Sequence, residues 1–178
     1  MRERLSIVAG TFIIYAALFF LFDSVFGVLG LTDAVHWICL PSGLRLVFVL
    51  VFAEWGAVGV SLATMFVALF FYFGNDLVSV YATGIISGLA PYLARYTCHN
   101  RLGMDLNLEN LTARKLLAVS IVFALMSATM YQMFYTWRGH SQNFITGTAV
   151  MAFGDLMGTI AMIYILKVLL HLAPVKTP

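Results

Sequence analysis

The residue with the clearest chemical potential is Asp155, a carboxylate near the middle of the apolar run 145–170. That run is long enough to cross a bilayer, which takes about 20 apolar residues. An ionised Asp at the centre of a spanning helix costs roughly 2.5–3.5 kcal/mol on insertion scales, so it must be protonated, paired or turned toward a polar cavity. Two compatible interpretations follow: Asp155 binds a cation or polar ligand or changes protonation in a sensing event, or it forms a buried ion pair.

Arg45 is the best partner for such an ion pair, because both residues are predicted in the outer or central half of the membrane. The alternative is that the forked N–H donors of Arg45 bind a ligand carboxylate or a lipid phosphate. Thr148 and Thr159 share the helical stripe of Asp155, at offsets of seven and eleven residues from Thr148, and we expect them to form a polar seam with it.

Two further polar residues are weaker candidates. Glu54 is predicted at the inner end of a span, where a carboxylate is more often solvated than functional. Gln132 lies beside a face of Ser and Tyr residues. We interpret these side chains as forming hydrogen bonds between helices rather than contacts with a ligand. Close helix packing is indicated by two G-x-x-x-G pairs. They are Gly84 with Gly88 and Gly154 with Gly158.

Composition places the chain among integral membrane proteins. Of its 178 residues, 62% are hydrophobic and 10% are charged, against about 45–50% and 25% in soluble domains. The net charge is +2, and no basic patch alternates with aromatic residues, so we predict no nucleic-acid partner. The sequence lacks the motifs of hydrolytic or redox enzymes, such as G-x-S-x-G, H-E-x-x-H and C-x-x-C. Their absence favours a non-enzymatic role with no metal. The sequence indicates no particular cofactor.

The elements needed to position these residues are membrane-spanning helices. The sequence predicts one all-α polytopic bundle over 1–178 with about six spans. The last span is predicted to be central to the bundle, and a tight turn is predicted at Gly56 between the second and third spans. The spans are about 5–22, 44–55, 57–73, 77–96, 116–137 and 145–170. Basic residues at the N-terminus, in the stretch 95–115 and near the C-terminus predict cytoplasmic termini in a bacterial inner membrane. Cys39 and Cys98 then lie on opposite sides, so no disulfide is expected. The stretch N-L-T (110–112) matches a glycosylation acceptor, but on the cytoplasmic side we interpret it as a helix cap before the fifth span.

Two short stretches resemble a known family. The segments W-I-C-L-P-S-G-L (37–44) and G-D-L-M-G (154–158) resemble signatures of membrane-associated sensor (MASE-type) domains. The resemblance implies a sensory or scaffold module that acts on a partner protein in trans, in contact with the lipid bilayer and with a small-molecule ligand possible.

Two alternatives remain open. One is the substrate-binding subunit of an energy-coupling-factor-type vitamin transporter, which the chain resembles in size and span number. Such subunits show small residues at regular spacing on the first helix, whereas here the bulky Ile13 stands between Ala9 and Ala17. The other is an accessory subunit of a larger membrane complex.

Overall fold

The protein is a bundle of helices without strands in the part of the chain that the structure, a computed structural model, describes: residues 2–28, 40–105, 108, 110–139 and 143–172. Helix α1 covers Arg2–Val28. Helix α2 covers Leu40–Val67 and is continued by a short π-helix, Ala68–Tyr72. Helices α3, α4 and α5 cover Leu77–Leu102, Ala113–Trp137 and Phe144–Leu172. Five of these elements are long and apolar enough to cross a membrane. The prediction of an all-helical, multi-pass membrane protein is confirmed at that level.

Helix α2 is a hairpin of two antiparallel arms. At Ala53 the backbone leaves the helical region (φ 51°, ψ −128°). Arg45 and Thr64 both hydrogen-bond the hydroxyl of Ser87, although a straight helix would separate them by about 28 Å. The first arm is therefore 40–52 and the second arm is 54–72. The reversal lies at Ala53 and not at the predicted Gly56.

Gly56 has a different role in this hairpin. A Cβ added to it would overlap the backbone carbonyl of Phe48 in the first arm. The lack of a side chain lets the two arms touch immediately after the turn, as expected where backbones approach closely. The first arm, at about 20 Å, is shorter than the ~30 Å hydrocarbon core of a bilayer. The predicted count of six spans and the side of each terminus therefore stay predictions.

The centre of the bundle is α2 and not the last helix. Helix α2 packs against α1, α3 and α5, and α4 completes the bundle between α3 and α5. Only 28% of the spanning stretch of α5 is buried, against 56% of that of α3. The prediction of a central last helix was wrong, because only one stripe of α5, with Gly154, Asp155, Gly158 and Thr159, faces the protein. The hairpin offers two helical arms to its neighbours, which is why it occupies the middle.

The G-x-x-x-G pair of α3 packs against the second arm of α2. A Cβ on Gly88 would overlap the Ser61 hydroxyl and the Ala57 carbonyl, and a Cβ on Gly84 would lie 2.9 Å from the Ser61 carbonyl. The glycines thus allow the close helix approach within one chain that this spacing predicts.

The ends of the helices form two groups. At one end the guanidinium of Arg4 lies 5.1 Å from the ring centre of Trp55, next to the Ala53 reversal. Lys167, near the end of α5, lines a cavity there with residues of the α3–α4 loop. At the other end Arg138 donates to the Asp76 carboxylate at 2.8 Å. The start of α1, the Ala53 reversal and the last turns of α5 therefore share one end of the bundle.

Candidate functional site

The site begins where the first arm of α2 meets α5. Pro41 stands in the first turn of the arm, where its missing N–H costs no helical hydrogen bond. Gly43 follows, and a Cβ there would lie 2.8 Å from the Gly158 carbonyl and 2.9 Å from the Cα of Thr159. The chain can bring the arm this close to α5 only because Gly43 has no side chain.

Asp155 is held by its backbone as well as by its side chain. Ser42 donates a hydrogen bond to the Asp155 carbonyl at 3.1 Å. Thr159, one turn further along α5, donates to the same carbonyl at 2.6 Å. The Ser42 hydroxyl ties α5 to the start of the first arm at the point where the carboxylate enters the protein, while the Thr159 bond lies within α5.

A buried ion pair is the central feature of the site. Arg45 Nη2 lies 3.2 Å from Asp155 Oδ1, and the two residues are 5% and 1% exposed. The guanidinium carbon is also 5.8 Å from the ring centres of both Phe123 and Tyr131, within range of cation–π attraction. Two opposite charges so deeply buried are tolerable because they are paired and surrounded by polar or aromatic groups.

A cluster of hydroxyl groups surrounds the other side of Arg45. Arg45 Nη1 donates to Ser87 Oγ at 3.3 Å, and Thr64 Oγ1 lies 2.9 Å from the same atom. Tyr131 donates to the Thr83 carbonyl at 3.0 Å, and its hydroxyl oxygen is 3.1 Å from Ser87 Oγ. Ser87 is thus the point where both arms of α2, α3 and α4 meet through polar contacts.

Arg45 and this cluster line a cavity of about 210 Å³. Its polar lining comes from hydroxyl groups and from the guanidinium, and the rest of its wall is aromatic or aliphatic. The lining residues with polar side chains are Tyr15, Arg45, Thr64, Tyr72, Thr83, Ser87, Tyr131 and Tyr135. A mostly apolar cavity with a few convergent polar groups is the usual form of a small-molecule site.

The second oxygen of Asp155 has a different environment from the first. Oδ2 is buried, and no group among the described residues donates a hydrogen bond to it. The Ser127 hydroxyl of α4 is buried close to the carboxylate. The carboxylate therefore uses one oxygen for Arg45, while the other faces the buried surface of α4.

Three predicted site residues lie away from this cluster. Thr148 donates to the Phe144 carbonyl of its own helix at 2.7 Å. The amide group of Gln132 packs over Gly147, where a Cβ would lie 2.6 Å from its Oε1. Glu54 is exposed beside the Ala53 reversal. Of the predicted polar residues, the structure brings together Arg45, Asp155 and Thr159.

The residues that sequence reasoning undervalued are Ser87, Thr83 and Thr64. It gave them no functional role, because hydroxyl groups are common between membrane helices. Thr83 and Ser87 are one turn apart on α3, and both are almost fully buried. Two hydroxyl residues one turn apart on a spanning helix, in a chain with an arginine that must be buried, are the sequence feature that could have identified them.

The remaining thiol and imidazole groups give no second centre in the described residues. His99 Nδ1 is 2.6 Å from the Met104 carbonyl, and Cys98 is a buried free thiol. Within residues 2–28, 40–105, 108, 110–139 and 143–172, no group of three or more His, Cys, Asp or Glu side chains is arranged to hold a metal. His36, Cys39 and His140 lie outside the described residues, as does Trp37 of the first resemblance motif.

Comparison with protein-family models, with curated proteins and with solved structures gave no match. The resemblance to membrane-associated sensor domains therefore stays a prediction. Its two motifs contact each other in the fold, since Ser42 and Gly43 of the first pack against Asp155 and Gly158 of the second.

Proposed function

We propose that this chain is a non-catalytic sensory module of the bacterial inner membrane, which binds a small molecule beside Arg45 and acts on a partner protein in trans. The observation that carries the proposal is that one buried guanidinium both pairs with Asp155 and lines a cavity of about 210 Å³. A ligand acceptor in that cavity would share or take over the donors that hold Asp155. The ligand class that fits is a small molecule with a hydrogen-bond-accepting end and an apolar or aromatic body.

The same geometry supplies a route for the signal. Asp155 joins α5 to the first arm of α2, so a ligand that draws Arg45 away loosens this junction. A ligand shifts an equilibrium only through a difference in its affinity for two states, and here the states differ in whether Arg45 binds Asp155. The end of α5 that carries Lys167 is then the part that a cytoplasmic partner would detect.

The experiment is to identify what the cavity holds. We would purify the protein in mild detergent, extract small molecules and analyse them by mass spectrometry. Ala68 is buried in the cavity wall, so Ala68→Leu should fill the cavity and abolish retention. The matched control is Ala149→Leu, an exposed position on α5 outside the lining. Equal recovery from the wild type and both variants would contradict the proposal.

Proteins that co-purify distinguish the sensory function from its alternatives. A regulatory enzyme would support the sensory module. An energising ATPase together with a tightly held vitamin would support the transporter subunit, which would use the same cavity. A stoichiometric membrane complex without a small molecule would support the accessory subunit and contradict ligand sensing.

The proposed topology has six crossings with both termini in the cytoplasm. In support, the Ala53 reversal divides α2 into two arms, and the first turn of α1 lies at the same end as the last turns of α5. That end carries most of the basic residues, whereas Arg138 at the other end is paired with Asp76. Labelling of single cysteines at Asn75 and Arg101 in intact cells tests the orientation: the impermeant reagent should reach only position 75.

A further inference from the structure

A second cavity opens at the end of the bundle that holds the Ala53 reversal. It is a groove of about 590 Å³ between the first arm of α2, α5 and the α3–α4 connection. Its walls are aliphatic and include Val51, Leu108 and Leu166, while Lys167 and His171 form its polar edge. It shares no lining residue with the Arg45 cavity, so it needs a separate explanation.

The depth of this polar edge corresponds to the headgroup level of a bilayer. Lys167 follows Asp155 by twelve positions, about 18 Å along a helix. Half of a bilayer's hydrocarbon core is about 15 Å. With Asp155 near the middle of the membrane, the ammonium group lies at the boundary where lipid phosphates are found, and the aliphatic groove extends from there toward the acyl chains.

The charge of the edge is positive. Lys167 and His171 are one helical turn apart on the same face of α5, and both are exposed. They also line a smaller adjoining cavity of about 290 Å³, together with Tyr164. Among the residues that the structure describes, no carboxylate lines either cavity, and neither Lys167 nor His171 forms a salt bridge. The Lys167 ammonium group therefore has its charge available at the mouth of an apolar groove, with the His171 imidazole one turn away.

We propose that this groove is a binding site for an anionic phospholipid, with one acyl chain along the aliphatic wall and the phosphate between Lys167 and His171. The groove provides apolar area for the chain, and the edge provides the charge complementarity that distinguishes an anionic from a zwitterionic headgroup. Basic pockets between membrane helices on the cytoplasmic side commonly bind such lipids. The inference uses the apolar lining of the groove, the charge at its edge and the depth of α5, and it does not depend on the ligand of the Arg45 cavity.

The test is lipid retention by the purified full chain. The protein would be placed in nanodiscs of phosphatidylcholine mixed with phosphatidylglycerol, and the lipids that remain bound would be measured by native mass spectrometry. Wild type should retain phosphatidylglycerol preferentially, and Lys167→Gln should lower this preference about fivefold. Arg101→Gln is the matched control, because Arg101 is an exposed basic residue outside the groove.

A second pair of variants tests the groove itself. Val51→Trp should block the aliphatic wall and reduce retention of the lipid, whereas Leu125→Trp, at an equally exposed position of α4, should leave it unchanged. The proposal is overturned if phosphatidylcholine is retained as well as phosphatidylglycerol, or if Arg101→Gln has the same effect as Lys167→Gln. It is also overturned if cross-linking places the chain's own residues 173–178 in the groove.

Discussion

The Ser42 hydroxyl donates a hydrogen bond to the backbone carbonyl of Asp155, across 3.1 Å and between stretches 113 positions apart in the sequence. This bond joins the start of the first arm of α2 to the middle of α5. It fixes the helix backbone from which the Asp155 carboxylate reaches Arg45, one turn further along the arm. The ion pair is therefore positioned by neighbouring backbone contacts and does not depend on the two side chains alone.

The ion pair should show strong energetic coupling. Removing one partner of a buried pair typically costs about 3–5 kcal/mol, because the other charge stays buried without compensation. We expect Arg45→Ala to lower the free energy of unfolding in detergent more in the wild type than in an Asp155→Asn background. Asp155→Asn should still insert into the membrane but should alter ligand retention or partner binding.

A double-mutant cycle measures this coupling, and values of about 0.5–3 kcal/mol are usual for residues in contact. Strict additivity of the two substitutions would contradict the pairing. Wild-type ligand retention and partner binding in Asp155→Asn would reduce that residue to a packing role.

The backbone at position 53 should accommodate glycine better than the alanine that is present there. Its φ of 51° is in the region that favours glycine, and such a backbone costs of order 1–3 kcal/mol for other residues. Ala53→Gly is expected to raise the unfolding free energy by about 1 kcal/mol. The control is Ala118→Gly in the regular part of α4, where glycine should destabilise by about 0.5–1 kcal/mol. Destabilisation by both substitutions would contradict the strained reversal.

The close contact between α3 and the second arm should make Gly88 intolerant of a side chain. Gly88→Ala places a methyl group against Ser61 and the Ala57 carbonyl, and such overpacking typically costs about 1–3 kcal/mol. Gly10→Ala in α1 meets no atom within 4 Å and is the matched control. Thermal unfolding in detergent should show a lower transition temperature for Gly88→Ala only; an equal response of both would argue against the packing.

The Tyr131 hydroxyl should contribute to stability and to ligand retention. Tyr131→Phe keeps the aromatic ring 5.8 Å from the Arg45 guanidinium but removes the bond to the Thr83 carbonyl. Each neutral hydrogen bond that is lost should cost about 0.5–1.5 kcal/mol, and the hydroxyl also lies 3.1 Å from Ser87 Oγ and 3.5 Å from Arg45 Nη1. Tyr164→Phe, at a side chain that is exposed on α5, serves as the control. Identical stability and small-molecule retention in both variants would exclude a role for the hydroxyl.

The contact between Asp76 and Arg138 predicts a dependence of stability on pH. Hydrogen bonds from the Ser79 hydroxyl and from Arg138 lower the pKa of Asp76 from 3.8 to about 2. Because the folded pKa is the lower one, the contribution is fully present above pH 3.8 and is lost as the pH falls through about 2. Transition temperatures of the wild type and Asp76→Asn should therefore converge across this window. A difference in transition temperature between the wild type and Asp76→Asn that stays constant across this window would contradict the shift.

The sequence by itself determined the features that depend on neighbouring residues. Apolar run length predicts helices that can span a membrane, and the residue type at Thr112 predicts the cap, where its side chain accepts a hydrogen bond from the Lys115 N–H. The cost of a charge in hydrocarbon singles out Asp155 and Arg45 as residues that need partners. These inferences hold because spacing along a helix fixes which residues share its face.

Only the tertiary structure decided which faces meet. Spacing gave no reason to place the reversal at Ala53, since alanine favours a continuous helix and the strained backbone there is sustained by contacts between the two arms. Likewise, Ser87 becomes the centre of a polar cluster only because the hairpin brings Arg45 and Thr64 to the same hydroxyl. The spacing of residues along a helix identifies those that face inward. The partner helix and its register are set by packing between segments that are distant in sequence.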